Sequence, residues 1–545
     1  MIRLAEKAIA GKRQVSVMRF IAVRFLARTA RKRFMLLLIV VAALVLLGTG
    51  WAKQKALPPQ RVIAPLQQTL DDQFAAVARR VPEFGGMFLG SNEQILQVYL
   101  TDTSPNRVAA VRQAIVAVFG APTIPSGGIR PIKGQYQFLQ LREWYTRMVG
   151  PVLSIPGVTA TDINEATNRL VIGLEKREVE PPVLDAINRV NIPREAVVPV
   201  VTGPFVPLNH TVQSPNSMSP WPNPRQAGYV ITRLINNVAG SSTGEGTLGF
   251  NALGQPNSMR GFVTCSHNTQ LFWQLDSLGG FAPADFYQSS GYYPIHKVGT
   301  EFYDPPGFIC PNPYPMTHTC RYSDSTFVKY DAGVQSAKGI IARTTALTLL
   351  TTSTANIKLA INHTFQLFSV GTGIWGINSP PTMPYLVGLK LNKVGRTTGW
   401  TSGTLEYSYY PSTCADFVDS YQRIRLCQYT VGNQADNDPS NDNWQIGTFG
   451  DSGSPVFRIS NGKWKYVELY GILWGGSDLQ NNPTGSPGGR KFVFSPIGGV
   501  SFQQSGIQTD LGQLYYINEC LPPISPNCRK ESAAEVSGTW QRSGQ

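Results

Sequence analysis

The chain has 545 residues, 42% hydrophobic and only 15% charged, against about 25% charged in an average globular protein. That balance excludes a highly charged disordered polymer and a long coiled coil, and the length predicts more than one folded unit. The net charge of +14 points to no nucleic-acid partner, because residues 1–33 hold ten Lys/Arg against Glu6 and leave no basic groove elsewhere.

Residues 34–50, FMLLLIVVAALVLLGTG, follow Arg31-Lys32-Arg33 as an uncharged apolar run. Its length lies between a signal h-region and a bilayer span, so a cleaved signal peptide and a retained membrane anchor both stay open. The basic flank 1–33 stays cytoplasmic under the positive-inside rule, which places everything after Trp51 outside as a secreted or membrane-anchored protein.

From 56 to 205 the chain has no cysteine and mixes two periods. GMFLG and QILQVYLT alternate as strands, and NRVAAVRQAIVAVFG spaces Val108, Val111, Ile115 and Val118 as a helix. A second set follows: helix FLQLREWYTRMVGPVL, strands VTATDI and RLVIGLE, helix PPVLDAINRV with proline at its start, and strand AVVPVV. The pattern predicts a small α+β domain or a pair of such modules. Residues 206–226 are rich in Pro, Asn and Ser without a period and read as a linker.

From 227 to 528 short apolar runs such as GYVITRL, GFVTCS, YLVGLKLNKVG and YVELYGILWGG are separated by Gly, Pro, Asn and Ser. Such spacing predicts an all-β sandwich or barrel. Residues 529–545 read as a disordered tail. All seven cysteines lie at or beyond Cys265, and six form the close pairs Cys310/Cys320, Cys414/Cys427 and Cys520/Cys528, read as three short-loop disulfides of an exported protein. No pair has zinc-ribbon spacing, and no cluster implies a metal or an organic cofactor. Asn209-His210-Thr211 and Asn362-His363-Thr364 match the glycosylation sequon, a weak pattern when the host is unknown.

The string that carries chemistry is Gly450-Asp451-Ser452-Gly453-Ser454-Pro455. A serine hydroxyl becomes a nucleophile only with a base to take its proton and donors to receive an oxyanion. A glycine two residues earlier lets the N–H groups of Gly450 and Ser452 face one point. The five histidines, His210, His267, His296, His318 and His363, all precede Ser452, which excludes the α/β-hydrolase order of nucleophile, acid and base. His267 ends the apolar strand RGFVTCSH, a rigid mount for a base. His210 falls in the linker, His318 in a proline-rich loop, and His296 and His363 have no catalytic string around them. For the acid, Asp324 directly precedes the apolar strand STFV, whereas its competitor Asp331 reads as a turn residue.

GTLGFNAL, RGFVTCSH, YSDSTFV, LNKVGRTTGWTSGTL and GDSGSPV together resemble the chymotrypsin-like (trypsin-fold) serine endopeptidases, and within them the secreted bacterial members made with a long propeptide. The resemblance spans about residues 227–505. It implies an all-β double antiparallel barrel, two barrels of six strands with the site between them. On this reading the barrels are preceded by an α+β pro-domain and the signal or anchor helix. Carried to matching positions, it implies His267 as general base, Asp324 as its orienting acid, Ser452 as nucleophile, Gly450 and Ser452 as oxyanion donors, and Asp451 as a support of that loop. Ile446 falls at the base of the specificity pocket, and Leu473, Trp474 and Gly475 on the strand that pairs with substrate. An apolar Ile446 disfavours cleavage after Arg or Lys.

Departures from the family are Cys265 and Ser266 in place of alanines, Asn268 in place of a cysteine, and Leu473 in place of a serine that would bond the acid. Cys265 is expected to be a buried free thiol. The expected partners are a protein or peptide substrate, the chain's own pro-domain as folding assistant or inhibitor, and the membrane if residues 34–50 are retained. Two other readings stand beside the enzyme: a catalytically silent protease-like binding protein, and a tethered structural protein in which GDSGSP is only a turn.

Overall fold

The computed structural model of the chain describes residues 69–90, 93–208, 225–227, 230–234, 243–254, 259–269, 283–288, 297–344, 361–367, 374–376, 383–406, 410–432, 445–459, 466–477, 490–498, 506–511 and 514–517. Residues 1–50, 209–224 and 529–545 lie outside these, as do the Asn209 sequon, His210, His296, Cys520 and Cys528; at His363 only the backbone is described. Among the described residues no helix is long and apolar enough to cross a membrane. Residues 67–545 make up one compact unit.

The first part of that unit is built from one pattern used twice. Helix α1 (Leu70–Arg80) is opened by Thr69 and Asp72, each bonding the other's backbone N–H, a capping box. Strands β1 (Phe84–Leu89) and β2 (Leu96–Leu100) pair antiparallel. After α2 (Pro105–Phe119), strand β3 (Ile129–Lys133) pairs parallel with β2. The same order returns as α3 (Phe138–Leu153), β4 (Val158–Asn164), β5 (Arg169–Leu174), α4 (Glu180–Arg189) and β6 (Val197–Val201). Here β4–β5 is antiparallel and β5–β6 parallel. A short turn can join only antiparallel neighbours, so each parallel partner arrives by a helical crossover. Val206–Pro207 then forms the two-residue strand β7, where the sequence suggested that a linker begins.

Seven of the strands that follow belong to one sheet: β8 (Val230–Leu234), β9 (Thr243–Thr247), β10 (Phe250–Gly254), β11 (Met259–Thr264), β12 (Asp285–Tyr287), β13 (Lys297–Tyr303) and β14 (Thr326–Tyr330). They lie in the order β9-β8-β12-β13-β14-β11-β10, extended by Leu514–Ile517 and Ile374–Gly376 into nine strands. Among the described residues this path stays open.

The last group is β15 (Lys390–Gly395), β16 (Gly399–Leu405), β17 (Ala415–Val418), β18 (Arg423–Gly432), β19 (Pro455–Ile459), β20 (Tyr466–Ser477) and β21 (Lys491–Pro496). The antiparallel pairings β15-β16-β18-β21-β20-β19 return to β15, so six strands close a ring. Closure removes the free edges that an open sheet leaves.

The amino-terminal modules are joined to this ring through shared sheet. Strand β17 pairs with β18 on one side and with β4 on the other, so β6-β5-β4 continues into the later strands. One apolar core accordingly runs from Phe74, Phe84 and Phe138 to Leu208, Tyr429 and Phe494. A second runs from Phe262 and Val328 of the nine-stranded sheet to Val394, Phe457 and Trp474 of the ring.

Candidate active site

Strands β11 and β14 are antiparallel neighbours, with Thr264 opposite Thr326. Residues just beyond one strand therefore meet residues just before the other, which sets His267 beside Asp324. The turn Ser266–Asn268 carries the imidazole. The Ser266 N–H bonds the Asp324 carbonyl, and the His267 N–H bonds Asp324 Oδ1 at 3.0 Å. Nδ1 of His267 lies 3.2 Å from that same Oδ1. On the other side of the ring, Nε2 lies 2.7 Å from Ser452 Oγ.

The Ser452 loop is held from beneath by Asp451, which is fully buried. Its carboxylate accepts the N–H groups of Thr397, Thr398 and Thr448, the Thr398 hydroxyl and the Lys393 ammonium. Thr247 adds two more ties, its hydroxyl to the Gly450 carbonyl at 2.9 Å and its N–H to the Ser452 carbonyl at 2.7 Å. Gly450 has φ of +93°, and a Cβ there would come within 2.4 Å of the Arg396 guanidinium. Glycine is therefore required by both backbone and space.

The N–H groups of Gly450 and Ser452 point at one acceptor, the carbonyl oxygen of Leu208, at 2.6 and 3.4 Å. The Leu208 N–H bonds the carbonyl of Trp474 at 3.1 Å, and β7 continues the pairing, Pro207 opposite Gly475 and Val206 opposite Gly476. Residues 206–208 thus lie as an added antiparallel strand along β20, ending at the serine. The Leu208 side chain is 1% exposed. A methyl group placed on Gly476 or Gly447 would come within 3.3 or 3.7 Å of its Cδ1, and Leu473 and Phe492 lie beside the same point on Gly447, in the core that holds Leu208.

Asp324 is also fully buried. Burial would push its carboxyl up, but the His267 imidazole and the Arg425 guanidinium outweigh it and hold the group well below the usual carboxylate range. Arg425 meets Oδ2 through Nε and Nη2 at 2.9 and 2.8 Å, a charge-assisted two-pronged contact. Its guanidinium stacks 4.2 Å over the Trp474 ring, whose own N–H bonds Gln428.

Of the residues singled out in the sequence, His267, Asp324, Ser452 and Gly450 converge. Gly475 pairs with β7 and Trp474 contributes its carbonyl, while the Trp474 indole points under Arg425 rather than into the pocket. Leu473 faces the pocket, so Arg425 serves Asp324 where a serine at 473 was missing. Ile446 is buried in the same core as Leu208. Asp331 lies away from the site, paired at 3.7 Å with Lys297, and His318 bonds Thr317 beside a disulfide. Ser266 bonds Asp304 and receives Arg321, which accounts for a hydroxyl at a position read as a departure.

Cys310–Cys320 and Cys414–Cys427 form disulfides. Cys265 is a free buried thiol that donates to the Leu473 carbonyl, and burial pushes its pKa up. It lies close enough to His267 and Asp324 to share a metal ion. A neutral thiol beside a carboxylate already engaged by Arg425 is a poor donor set for one, since a metal ligates thiolate.

Sequence reading missed Arg425, Leu208, Gly447 and Gly476. Only Arg425 left a trace: an arginine inside a strand that is buried along nearly its whole length is rarely found without a partner.

The chain matches no family model and no curated protein. It is similar to solved structures of a Nocardiopsis protease (16% identity, TM-score 0.27, covering 50% of this chain and 92% of that one) and of Cellulomonas bogoriensis chymotrypsin (17%, 0.25, 50% and 91%). It is also similar to alpha-lytic protease homolog N4 (13%, 0.27, 50% and 93%).

Proposed function

We propose that the chain is a serine endopeptidase acting outside the cytoplasm, with residues 69–208 as a pro-region that covers its cleft. The observation that carries this reading is the 2.7 Å contact between Ser452 Oγ and His267 Nε2, next to two N–H groups already receiving a carbonyl oxygen. His267 takes the Ser452 proton as the hydroxyl attacks a substrate carbonyl, then delivers it to the leaving amine. Asp324 keeps Nδ1 protonated and supports the imidazolium. Gly450 and Ser452 N–H groups receive the developing oxyanion. Water then hydrolyses the acyl-enzyme by the reverse route. The two disulfides agree with an oxidising location. The sheet shared between β4 and β17 supports the modules 69–205 as a template for the ring, with non-local pairing as the slow step that such a template would assist.

The test is hydrolysis of an unstructured protein such as casein by the processed chain. Activity in wild type, abolished in Ser452→Ala and His267→Ala variants of equal thermal stability, supports the enzyme. A folded, processed wild type without activity identifies a silent binding protein instead.

A further inference from the structure

From the geometry of Leu208 we infer that the protein cuts its own chain between Leu208 and Asn209, and that its pocket selects leucine on the acyl side of the cut bond. This rests on the protease reading above. Three features place a bond rather than a mere cover. The Leu208 carbonyl oxygen sits on both N–H donors beside Ser452, at 2.6 and 3.4 Å, the position a reacting carbonyl must take. Its N–H is fixed to Trp474, so the carbonyl is held along a strand and not merely near the serine. Pro207 occupies the one position in Val206-Pro207-Leu208 whose missing N–H faces away from β20, where proline is tolerated.

The pocket explains the choice of side chain. Glycines at 447 and 476 make the space, and Leu473 and Phe492 bound it, leaving room for a branched four-carbon side chain. Among the described residues, the groups beside those two glycines besides Leu208 itself are Phe492, Leu473 and the Lys491 carbonyl, and none of them carries a charge to pair with a charged side chain. Burying an unpaired charge there would be strongly unfavourable.

Ser452 Oγ adds to the Leu208 carbonyl carbon while its proton passes to His267 Nε2. The carbon–nitrogen bond to Asn209 breaks and that proton goes to the Asn209 nitrogen, leaving a Leu208–Ser452 ester. One water cleaves the ester, restoring the hydroxyl and leaving Leu208 as a carboxylate on the same two donors, where it blocks the cleft until 69–208 departs.

The experiment is to express the full chain under oxidising conditions as wild type, Ser452→Ala and Leu208→Asp, and to sequence the amino terminus of the carboxyl-terminal fragment. Wild type should begin at Asn209, Ser452→Ala should stay uncut, and Leu208→Asp should be cut at least about ten-fold more slowly. In parallel, wild type is offered Val-Pro-Xaa p-nitroanilides, and kcat/KM for leucine should exceed that for alanine, tryptophan and arginine by at least about ten-fold. This series decides the pocket even if Leu208→Asp does not fold. A Ser452-dependent cut elsewhere, an uncut chain that still hydrolyses the peptides, or a preference for arginine or tryptophan overturns the inference and leaves the protease reading intact. Neither self-cutting nor peptide hydrolysis by folded protein overturns both.

Discussion

The cleft and the seam where β4 meets β17 both bury carboxylates, and they do so by opposite means. In the cleft Asp324 faces a guanidinium and an imidazole and stays ionised. At the seam Asp162 accepts the N–H and hydroxyl of Ser412, Glu165 accepts the Thr413 hydroxyl, and Asp416 accepts the hydroxyls of Tyr145 and Tyr314. Asp71 lies half-buried near them, and Arg142, the cation facing it, is paired with Asp72. Burial, with only hydroxyls and N–H groups to oppose it, pushes Asp162 up to about 8 and Asp416 up to about 6. Glu165 and Asp71 are also raised, by burial first and by their carboxylate neighbours second. A buried carboxylate beside permanent cations stays ionised, whereas one that meets only hydroxyls and N–H groups holds a proton.

The largest effect expected in testing that contrast is on catalysis. Ser452→Ala or His267→Ala should lower kcat by about 10^5–10^6-fold, and the double variant little further, because the two side chains act as one unit. Assay of the three variants on Val-Pro-Leu p-nitroanilide checks it; additive losses would show that they do not.

Next comes the cation. Arg425→Met leaves Asp324 buried without its two-pronged partner, a loss of about 3–5 kcal/mol in unfolding free energy. If Arg425 positions the acid and does more than stabilise the fold, kcat should fall while KM holds, and Arg425→Lys should recover only part, since an ammonium lacks the fork. Urea unfolding and steady-state kinetics separate these outcomes.

The seam predicts a pH dependence of the opposite sign to that of ordinary paired carboxylates. Asp162 and Asp416 have folded pKa values above the unfolded value of 3.8, so the folded chain holds extra protons. The stability they support is complete below about pH 4 and is lost as pH rises through their folded values near 6 and 8. In full-length Ser452→Ala, kept uncut, the thermal midpoint should fall from pH 4 to pH 8, and Asp162→Asn should flatten that slope. A midpoint that rises across the window would reverse the assignment.

The smallest effect expected is at the free thiol. Cys265→Ala removes one hydrogen bond to Leu473, whose carbonyl keeps the Gly453 N–H at 2.7 Å, so unfolding should ease by about 1–2 kcal/mol. Intact mass after exposure to iodoacetamide should show no adduct on folded wild type.

What the sequence made legible follows the range of the physics. Helices at 105–119 and 138–153 and the strands β1 and β2 come from local patterns, and they stand where the periods put them. His267 and Ser452 were readable because each sits in a short string whose backbone has one use. Arg425 bonds an acid 101 positions away, and no local pattern reports such a pairing. Leu208 was hidden for another reason: Val206-Pro207-Leu208 has no periodicity of its own and becomes a strand only against β20.

The most direct test is the site of attachment of a small alkyl fluorophosphonate, mapped by peptide mass spectrometry on protein freed of residues 69–208. One phosphonyl group is expected on Ser452, none in Ser452→Ala, and attachment slowed at least about a thousand-fold in His267→Ala. A folded protein that takes no adduct, or takes it equally fast without the imidazole, would contradict that expectation.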